Sequence, residues 1–303
     1  MRERIDLSSI LIRAAIGVER KACRMLLNTQ DRFCYDEGLH IARTTGTSPQ
    51  VLGALSLTPL RDPQGEGAIL MHAHVLPAWR RCGIGSQLLQ TAVDAARRNN
   101  AHSVIVQCDS QSELEGVSFL DAKGFQRTEV LTTFEASTER LSSHIRGLRD
   151  RLLKSNRVPL EARLIDLRDA PIMQVAKLHA EYLAGTPQSI TRMLNEQLAN
   201  DGYCHHCVLM LDQKVVGLVL ARTVNGVSTV ESEVLDPSYR ASAQFGWASV
   251  VLLAEEIDWG VARNSVLTHF SCTSGNRATQ RLAKRSGAIP IREKIVFCLR
   301  LDY

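Results

Sequence analysis

The chain has 303 residues, 45% of them apolar, and carries 36 basic and 32 acidic side chains. This length predicts about two domains of roughly 150 residues, each able to bury its own core. The net charge of +4 is too small and too mixed to predict a nucleic-acid partner. No run of about 18 apolar residues predicts a membrane span, and the charged start at Met1–Asp6 is unlike a signal peptide. We therefore expect a cytoplasmic protein without membrane association.

The first long elements of the chain are predicted to be a strand, a turn, a helix and a second strand. Residues 68–75 predict a strand that ends before Pro77, because proline cannot continue a sheet ladder. Residues 84–98 predict a helix, since apolar side chains recur there at steps of three and four. The resulting stripe consists of Ile84, Leu88, Leu89, Ala92, Val93 and Ala96. Residues 103–108 predict the second strand.

The turn between this strand and this helix has the composition of a pyrophosphate-binding loop. Gly83 and Gly85 lack a Cβ, so nearby backbone N–H groups can approach phosphate oxygens closely. Arg80 and Arg81 add positive charge, and the positive end of the helix dipole points to the same place. Two common alternatives fit badly. Gly85 is followed by Ser86 and not by Lys-Ser or Lys-Thr, and the third glycine of a dinucleotide-binding fingerprint is missing.

The residues that flank this loop make the pattern more specific. Arg80-Arg81-Cys82-Gly83-Ile84-Gly85, preceded by Val75-x-Pro77 and Trp79, resembles the Arg-x-x-Gly-x-Gly motif of the GNAT family of N-acetyltransferases. The resemblance implies acetyl-coenzyme A (acetyl-CoA) as cosubstrate and a primary amine of a small molecule or peptide as acceptor. It implies an α/β (α+β, three-layer) fold with a mixed, mostly antiparallel twisted sheet flanked by helices. The implied cosubstrate-binding residues are Val75, Leu76, Arg80, Arg81, Cys82, Gly83, Ile84, Gly85 and Ser86.

A second element of the family pattern follows, with one departure. Residues 113–123 predict a short helix that ends at Gly124, immediately before Phe125. The family usually carries a tyrosine in this helix, proposed to protonate the leaving thiolate. The matching position here is Leu120, which has no proton to donate, and the asparagine that often opens the helix is replaced by Glu113. The resemblance therefore implies a cosubstrate site and identifies no proton donor.

Two histidines and a carboxylate are the candidates for catalysis. His72 and His74 share one face of the predicted strand, where a neutral imidazole is suited to accept a proton from an ammonium group. The alternative is that both are ordinary half-buried strand residues. Asp109 lies just past the second strand, with Glu113 and Glu115, where a carboxylate would bind an amine or act through water. The alternative for these acidic residues is that they stabilise a helix start through the helix dipole.

The second half of the chain repeats the same order of elements. Pro237 lies 160 residues after Pro77, and Gly287 lies 163 residues after Gly124. We therefore expect two tandem GNAT-like domains, an arrangement similar to that of mycothiol synthase-like proteins. The expected divisions are an N-terminal domain at 1–135, a linker helix at 136–158 packed across both domains, and a C-terminal domain at 159–303.

The second copy is predicted to have lost its pyrophosphate loop. Residues 241–248 contain one glycine beside two bulky aromatic side chains, which a pyrophosphate would meet. Asn276 occupies the place of the family's asparagine, whereas Ala283 occupies the place of its tyrosine. We expect this copy to be mainly architectural or to shape the substrate site. The alternative is that it also binds an acyl-CoA.

Cys204-His205-His206-Cys207 has the spacing of a zinc-ligand pair, but its context predicts no metal site. These residues run directly into a predicted strand, in which successive side chains point to opposite faces. No second pair of ligands lies at zinc-finger spacing. The eight cysteines are scattered along the chain and are predicted to be free thiols.

Two functional hypotheses follow from these observations. The first is an enzyme that moves an acetyl or short acyl group from acetyl-CoA directly to a primary amine, with the cosubstrate held by the N-terminal domain. The second is a catalytically lapsed acyl-CoA sensor or scaffold, suggested by Leu120 and by the altered second copy. The expected oligomeric state is a monomer or a homodimer.

Overall fold

The computed structural model of the protein describes residues 9–27, 36–45, 48–62, 65–109, 114–199, 204–239 and 246–302. By its internal contacts the chain divides into two compact units. The first unit comprises residues 1–108, 113–128 and 296–303, and the second comprises residues 109–112 and 129–295. None of the described helices is both long enough and apolar enough to cross a membrane.

The first unit is built around five strands taken in chain order. Strands β1 to β4 pair with antiparallel neighbours, whereas β4 and β5 pair in parallel. A single 3-10 turn, Pro77–Trp79, leads from β4 to helix α2. The elements up to this point are β1 Ile10–Ala14, α1 Val18–Leu26, β2 Leu39–Thr44, β3 Val51–Arg61, β4 Gly67–Val75, α2 Ile84–Arg98, β5 Ser103–Asp109 and α3 Leu114–Ala122.

The remaining elements follow the same plan and belong mainly to the second unit. They are β6 Gln126–Ser137, α4 Thr138–Lys154, β7 Ala162–Asp166, α5 Ile172–Tyr182, α6 Pro187–Ala199, β8 Cys204–Leu211, β9 Lys214–Val224, β10 Val227–Leu235, α7 Trp247–Ala262, β11 Leu267–Thr273, α8 Arg277–Ser286 and β12 Ile289–Arg300. The strand order in this unit is β6-β11-β10-β9-β8-β7. Only β10 and β11 are parallel among its printed pairs, so the predicted mixed, mostly antiparallel sheet is confirmed.

Two strands do not stay with the copy that precedes them in the chain. Strand β6 follows α3, yet it pairs with β11 of the second unit from Leu131↔Thr273 to Ser137↔Leu267. Strand β12 follows α8, yet its residues 296–300 belong to the first unit, where β12 lies beside β5. The compact units therefore differ from the predicted limits at 1–135 and 159–303, because a division along the chain cannot describe exchanged strands.

Helix α4 forms where the sequence predicts a helix, but it belongs to the core of the second unit. Its apolar side chains Leu141 and Ile145 are buried in a cluster with Phe134 and Phe270. The two phenylalanine rings stack with centroids 5.6 Å apart. On the polar side, Arg146 and Arg149 both bond Asp258 of α7, at 2.6 and 3.0 Å. The predicted linker packed across both domains is thus corrected to a helix that packs on α7, because its apolar stripe is covered there.

The two copies repeat each other down to single hydrogen bonds. The N–H of Leu76 donates to Leu52 at 2.9 Å, and the N–H of Asp236 donates to Val216 at 3.0 Å. In both copies the parallel pairing is short, covering 68–70 with 103–105 and 227–229 with 267–269. The helices after the second parallel strand both end at a left-handed glycine, Gly124 with φ 81° and Gly287 with φ 69°. The repeat predicted from the spacing of prolines and glycines is therefore a repeat of structure.

Candidate active site

Strands β4 and β5 separate after a short parallel pairing, which leaves an opening between them. The pairing covers Ala68–Leu70 with Ser103–Ile105, whereas β4 continues to Val75. Because the N–H of Leu76 bonds to β3, the alternation of an antiparallel ladder turns the N–H and C=O groups of Val75 toward the other side. The backbone of β4 therefore offers hydrogen-bonding groups toward the opening.

The loop that follows β4 presents a row of unpaired backbone donors. Arg81 has φ 66° and Gly83 has φ 82°, and such left-handed residues between right-handed ones curl a backbone into an anion-binding concavity. Within the described part of the chain, five consecutive N–H groups have no acceptor, those of Arg81, Cys82, Gly83, Ile84 and Gly85. The next two N–H groups, of Ser86 and Gln87, both bond the carbonyl of Gly83.

The two loop arginines stand beside these donors and are paired in the structure. Arg80 donates from Nε to the carbonyl of Val75 at 3.1 Å. Its Nη1 donates to Oε2 of Glu115 at 2.9 Å, and Nη2 of Arg81 lies 3.9 Å from Oε1 of the same carboxylate. The loop therefore combines positive charge with a single acidic neighbour on α3. The sequence marks Glu115 only as an acidic residue near a helix start, and no local pattern identifies its partners.

Helix α2 is anchored below the loop as the apolar stripe predicts. Ile84 is 1% exposed and Leu88 is fully buried, so the first turn of the helix is held by the core. Gly83, with its left-handed backbone, precedes the helix and provides no side-chain cap. A Cβ at Gly85 would lie 3.6 Å from the ring of Phe119, which is ordinary contact. Helix α3 thus packs against the loop through Phe119, and Gly85 leaves room for a small side chain.

The predicted catalytic histidines lie on β4 beyond its pairing with β5. His72 is opposite Ser56 on β3, His74 is opposite Ala54, and both histidines are half-buried. Their spacing of two residues places both on one face of the strand, as predicted. They occupy the stretch that borders the opening.

Asp109 lies at the end of β5 with a partner of its own. Its side chain is 17% exposed, and its Oδ2 accepts a hydrogen bond from Nε of Arg292 on β12 at 3.0 Å. This ion pair joins residues 183 positions apart, so no local sequence signal could have identified it. Glu113, the other acidic candidate near this point, lies outside the described residues.

Comparison with known proteins agrees with this geometry. Residues 10–125 match the acetyltransferase (GNAT) family. That stretch contains β4, the loop, α2, β5 and α3, and the match supports acyl transfer as the general class of activity. No curated protein matches the sequence.

Solved structures match over nearly the whole chain. A tandem GNAT protein from the clavulanic acid biosynthesis pathway shares 17% identity with a TM-score of 0.52, covering 96% of this chain and 98% of the other. The chain has the fold of a tandem GNAT protein. A GCN5-related N-acetyltransferase from Sphaerobacter thermophilus shares 13% identity with a TM-score of 0.51, covering 96% of each chain. Another from Kribbella flavida shares 13% with a TM-score of 0.58, covering 98% of this chain and 73% of that one.

The GNAT tyrosine position is filled by a buried leucine. Leu120 is 3% exposed within α3, and it is held in the core beneath the C-terminal end of the helix. Among the described residues of the first unit there is no tyrosine. The departure from the GNAT pattern is therefore structural as well as chemical, because the side chain at this position faces the interior.

The second GNAT-like copy carries a carboxylate at the strand end. Asp236 occupies the place of Leu76 and accepts bonds from Nζ of Lys214 at 2.8 Å and from the Ser238 N–H at 3.0 Å and Oγ at 2.6 Å. Burial raises the pKa of the Asp236 carboxyl, but the bonds from Lys214 and Ser238 outweigh it and hold the pKa below its usual range. The strand end therefore carries a negative charge. The predicted loss of the loop at 241–248 falls mostly outside the described residues, which resume at Gly246.

A buried acid distinguishes the second copy further. Glu256 on α7 is fully buried, and neither of its carboxyl oxygens has a hydrogen-bond partner among the described residues. Burial, together with the nearby Glu233 carboxylate, raises the pKa of Glu256 to about 8. Val93 is the tenth residue of α2, as Glu256 is of α7, so the first copy has an apolar side chain at the matching place.

The Cys204–Cys207 segment forms the start of β8, as predicted. His205 stacks on Trp259 with ring centroids 5.0 Å apart, and burial lowers the pKa of His205 to about 4. His206 shares a hydrogen bond of 2.9 Å with Oε1 of Gln197. Across the part of the chain that the structure describes, no group of three or more His, Cys, Asp or Glu side chains is placed to hold a metal ion.

Proposed function

We propose that the protein is an N-acyltransferase that moves an acetyl or short acyl group from acetyl-CoA to a primary amine. The observation that carries this proposal is the row of five backbone N–H groups without acceptors at Arg81–Gly85. Buried or clustered donors without acceptors are unfavourable, and a diphosphate supplies oxygens suited to them. Arg80 and Arg81 add the positive charge that a diphosphate requires.

The opening between β4 and β5 is the proposed place for the thioester. In this arrangement the loop holds the diphosphate, and the thioester-bearing arm passes along the outward-facing groups of β4. The N–H of Val75 would then stabilise the negative charge that develops on the carbonyl oxygen during attack. Holding amine and thioester together supplies much of the rate through proximity. The amine nitrogen forms the new bond to the acyl carbon, and the bond to sulfur breaks.

His72 and His74 are proposed to accept the proton that the attacking ammonium loses. Both lie on the part of β4 that borders the opening, and a neutral imidazole is suited to this task. The bond between Asp109 and Arg292 favours the histidines as bases, because the Asp109 carboxylate already accepts a charge-assisted bond. With Leu120 at the tyrosine position, water protonates the departing thiolate in this proposal.

We propose that only the first unit binds the cosubstrate. The ionised carboxylate of Asp236 would repel a diphosphate placed at the end of β10, whereas the matching Leu76 is uncharged. The second unit then serves an architectural or substrate-shaping role.

A lapsed acyl-CoA sensor is the second candidate function, and the buried Leu120 favours it. A sensor would bind acetyl-CoA and would release no thiol with any amine. Steady-state thiol release with a panel of primary amines separates the two functions, because an acyltransferase releases one thiol for each amine acylated.

The cosubstrate site is tested by a pair of glycine variants with equal backbone strain. Gly83 and Gly65 both have left-handed backbones, with φ 82° and 83°. Alanine is strained there by roughly 1–2 kcal/mol, so Gly83→Ala should distort the loop and lower acetyl-CoA affinity about tenfold or more. Gly65→Ala, in the turn between β3 and β4 with nothing within 4 Å of its added Cβ, should leave affinity unchanged. Calorimetry that finds equal affinities for both variants would remove the basis of the proposal.

A further inference from the structure

One carboxylate lies against both arginines of the loop. Oε2 of Glu115 accepts a hydrogen bond of 2.9 Å from Arg80, and Oε1 lies 3.9 Å from Arg81. Arg80 is held from its other side by the Val75 carbonyl at 3.1 Å, so its guanidinium is oriented toward the loop. Glu115 is therefore positioned where it neutralises the charges that an incoming diphosphate would use.

The position of Glu115 follows from the packing of α3. Glu115, Phe119 and Lys123 are spaced four residues apart and share one face of the helix. Phe119 reaches the loop, since its ring would be 3.6 Å from a Cβ on Gly85, and Lys123 lies over the same ring at 5.9 Å. The face that carries Glu115 is therefore turned to the loop by a ring contact, independently of the ion pair. An acidic residue in the first turn of a helix is also stabilised by the helix dipole.

We propose that Glu115 is an internal counter-ion of the cosubstrate loop, which the diphosphate of CoA displaces from Arg80 on binding. This inference rests on the proposed function, since it assumes that the diphosphate binds at Arg80–Gly85. Two anions cannot share one guanidinium closely without repulsion, so breaking the Glu115 pair is a cost common to every anion that enters the loop. Glu115 thereby sets the affinity of the loop and lowers it for small anions that gain little from other contacts.

The test replaces the charge and keeps the shape. Glu115→Gln should tighten binding of CoA by about two- to fivefold, the range expected for a solvent-exposed ion pair. Inorganic pyrophosphate should gain by the same factor, because both ligands displace the same carboxylate. The gain should shrink as salt rises, because screening weakens the pair before any ligand arrives.

Asp121→Asn is the matched control. Asp121 lies on the same helix and pairs with Arg127 at 3.0 Å, so the variant removes one negative charge from α3 without touching the loop arginines. We expect unchanged affinity for both ligands. In an Arg80→Ala background, Glu115→Gln should lose most of its effect, which shows that the two side chains act on each other. Thermal unfolding of each variant checks that the fold is kept.

The outcomes separate the inference from the function on which it rests. If the parent protein binds CoA and Glu115→Gln binds it equally or more weakly, Glu115 is a spectator or positions Arg80, and the inference is overturned. If Asp121→Asn gains as much as Glu115→Gln, the effect is general charge and the inference also fails. If the parent protein binds pyrophosphate but no CoA, the proposed function fails. Equal gains for both ligands in Glu115→Gln alone support the inference.

Discussion

The two copies keep one backbone frame and differ in charge at matched places. Both have a strand that bonds its neighbour at the exit, a 3-10 turn and a helix, with the same short parallel pairing. The first copy has Leu76 at the strand end and Val93 inside the helix, whereas the second has Asp236 and Glu256. The frame depends on backbone bonds and apolar packing, so it survives changes that remove an anion site. A duplicated domain can therefore lose ligand chemistry without losing its fold.

The largest effect is expected from the histidines of β4. The double variant His72→Ala, His74→Ala should lower the maximal rate of acyl transfer about a hundredfold, the usual contribution of a positioned base. It should flatten the acidic limb of the pH profile and leave acetyl-CoA affinity unchanged. Ser232→Ala is the control, because Ser232 lies 160 residues after His72 in the second copy. A double variant with the parent rate and pH profile would make both histidines structural.

The buried acid of the second copy predicts an unusual pH dependence of stability. The pKa of Glu256 is raised to about 8 in the folded protein, above its value of 4.5 in the unfolded chain. The unfolded chain therefore ionises first, and the folded protein loses stability as pH rises from 4.5 toward 8. Glu256→Gln removes this loss and should raise the free energy of unfolding by about 2 kcal/mol or more at pH 7.5.

Chemical denaturation at several pH values measures the difference. The gain should vanish at pH 4, where both protein states carry a neutral side chain at residue 256. Glu255→Gln, on the neighbouring and partly exposed residue, should show no such pH dependence. A gain that is constant with pH would mean that Glu256 is ionised when folded.

The comparison of the copies also predicts one cosubstrate site per chain. Arg80→Ala should lower acetyl-CoA affinity about tenfold, because a charge-assisted contact to the diphosphate is lost. Arg240→Ala, at the matching place in the second copy, should leave affinity unchanged. Calorimetric titration should give a stoichiometry near one in the parent protein and in Arg240→Ala. A value near two would contradict the proposed division of roles.

The smallest effect comes from moving the charge of the second copy into the first. Leu76→Asp places a carboxylate where Asp236 stands in the other copy and should weaken acetyl-CoA binding about threefold relative to Leu76→Asn. The asparagine variant controls for the loss of the leucine side chain. If the two variants bind equally well, the charge at this place does not explain why the copies differ.

Local patterns in the sequence were sufficient to predict the elements around the loop. Helix α2 begins at Ile84 and ends at Arg98 as its apolar period predicts, and β4 ends at Val75 before Pro77. The repeat was also predictable, because prolines and glycines recur at nearly constant spacing wherever the backbone requires them. These features depend on interactions within a few residues along the chain.

Long-range partners were decided by the tertiary structure. The exchange of β6 and β12, the place of α4 on α7, and the bond from Arg292 to Asp109 join segments far apart in the chain. Glu115 and Arg80 lie 35 residues apart, and they meet because Phe119 brings α3 onto the loop. Periodicity reports which face of an element is apolar and does not report which apolar face covers it. The choice among such faces is made by packing of the whole chain, which the sequence pattern alone leaves open.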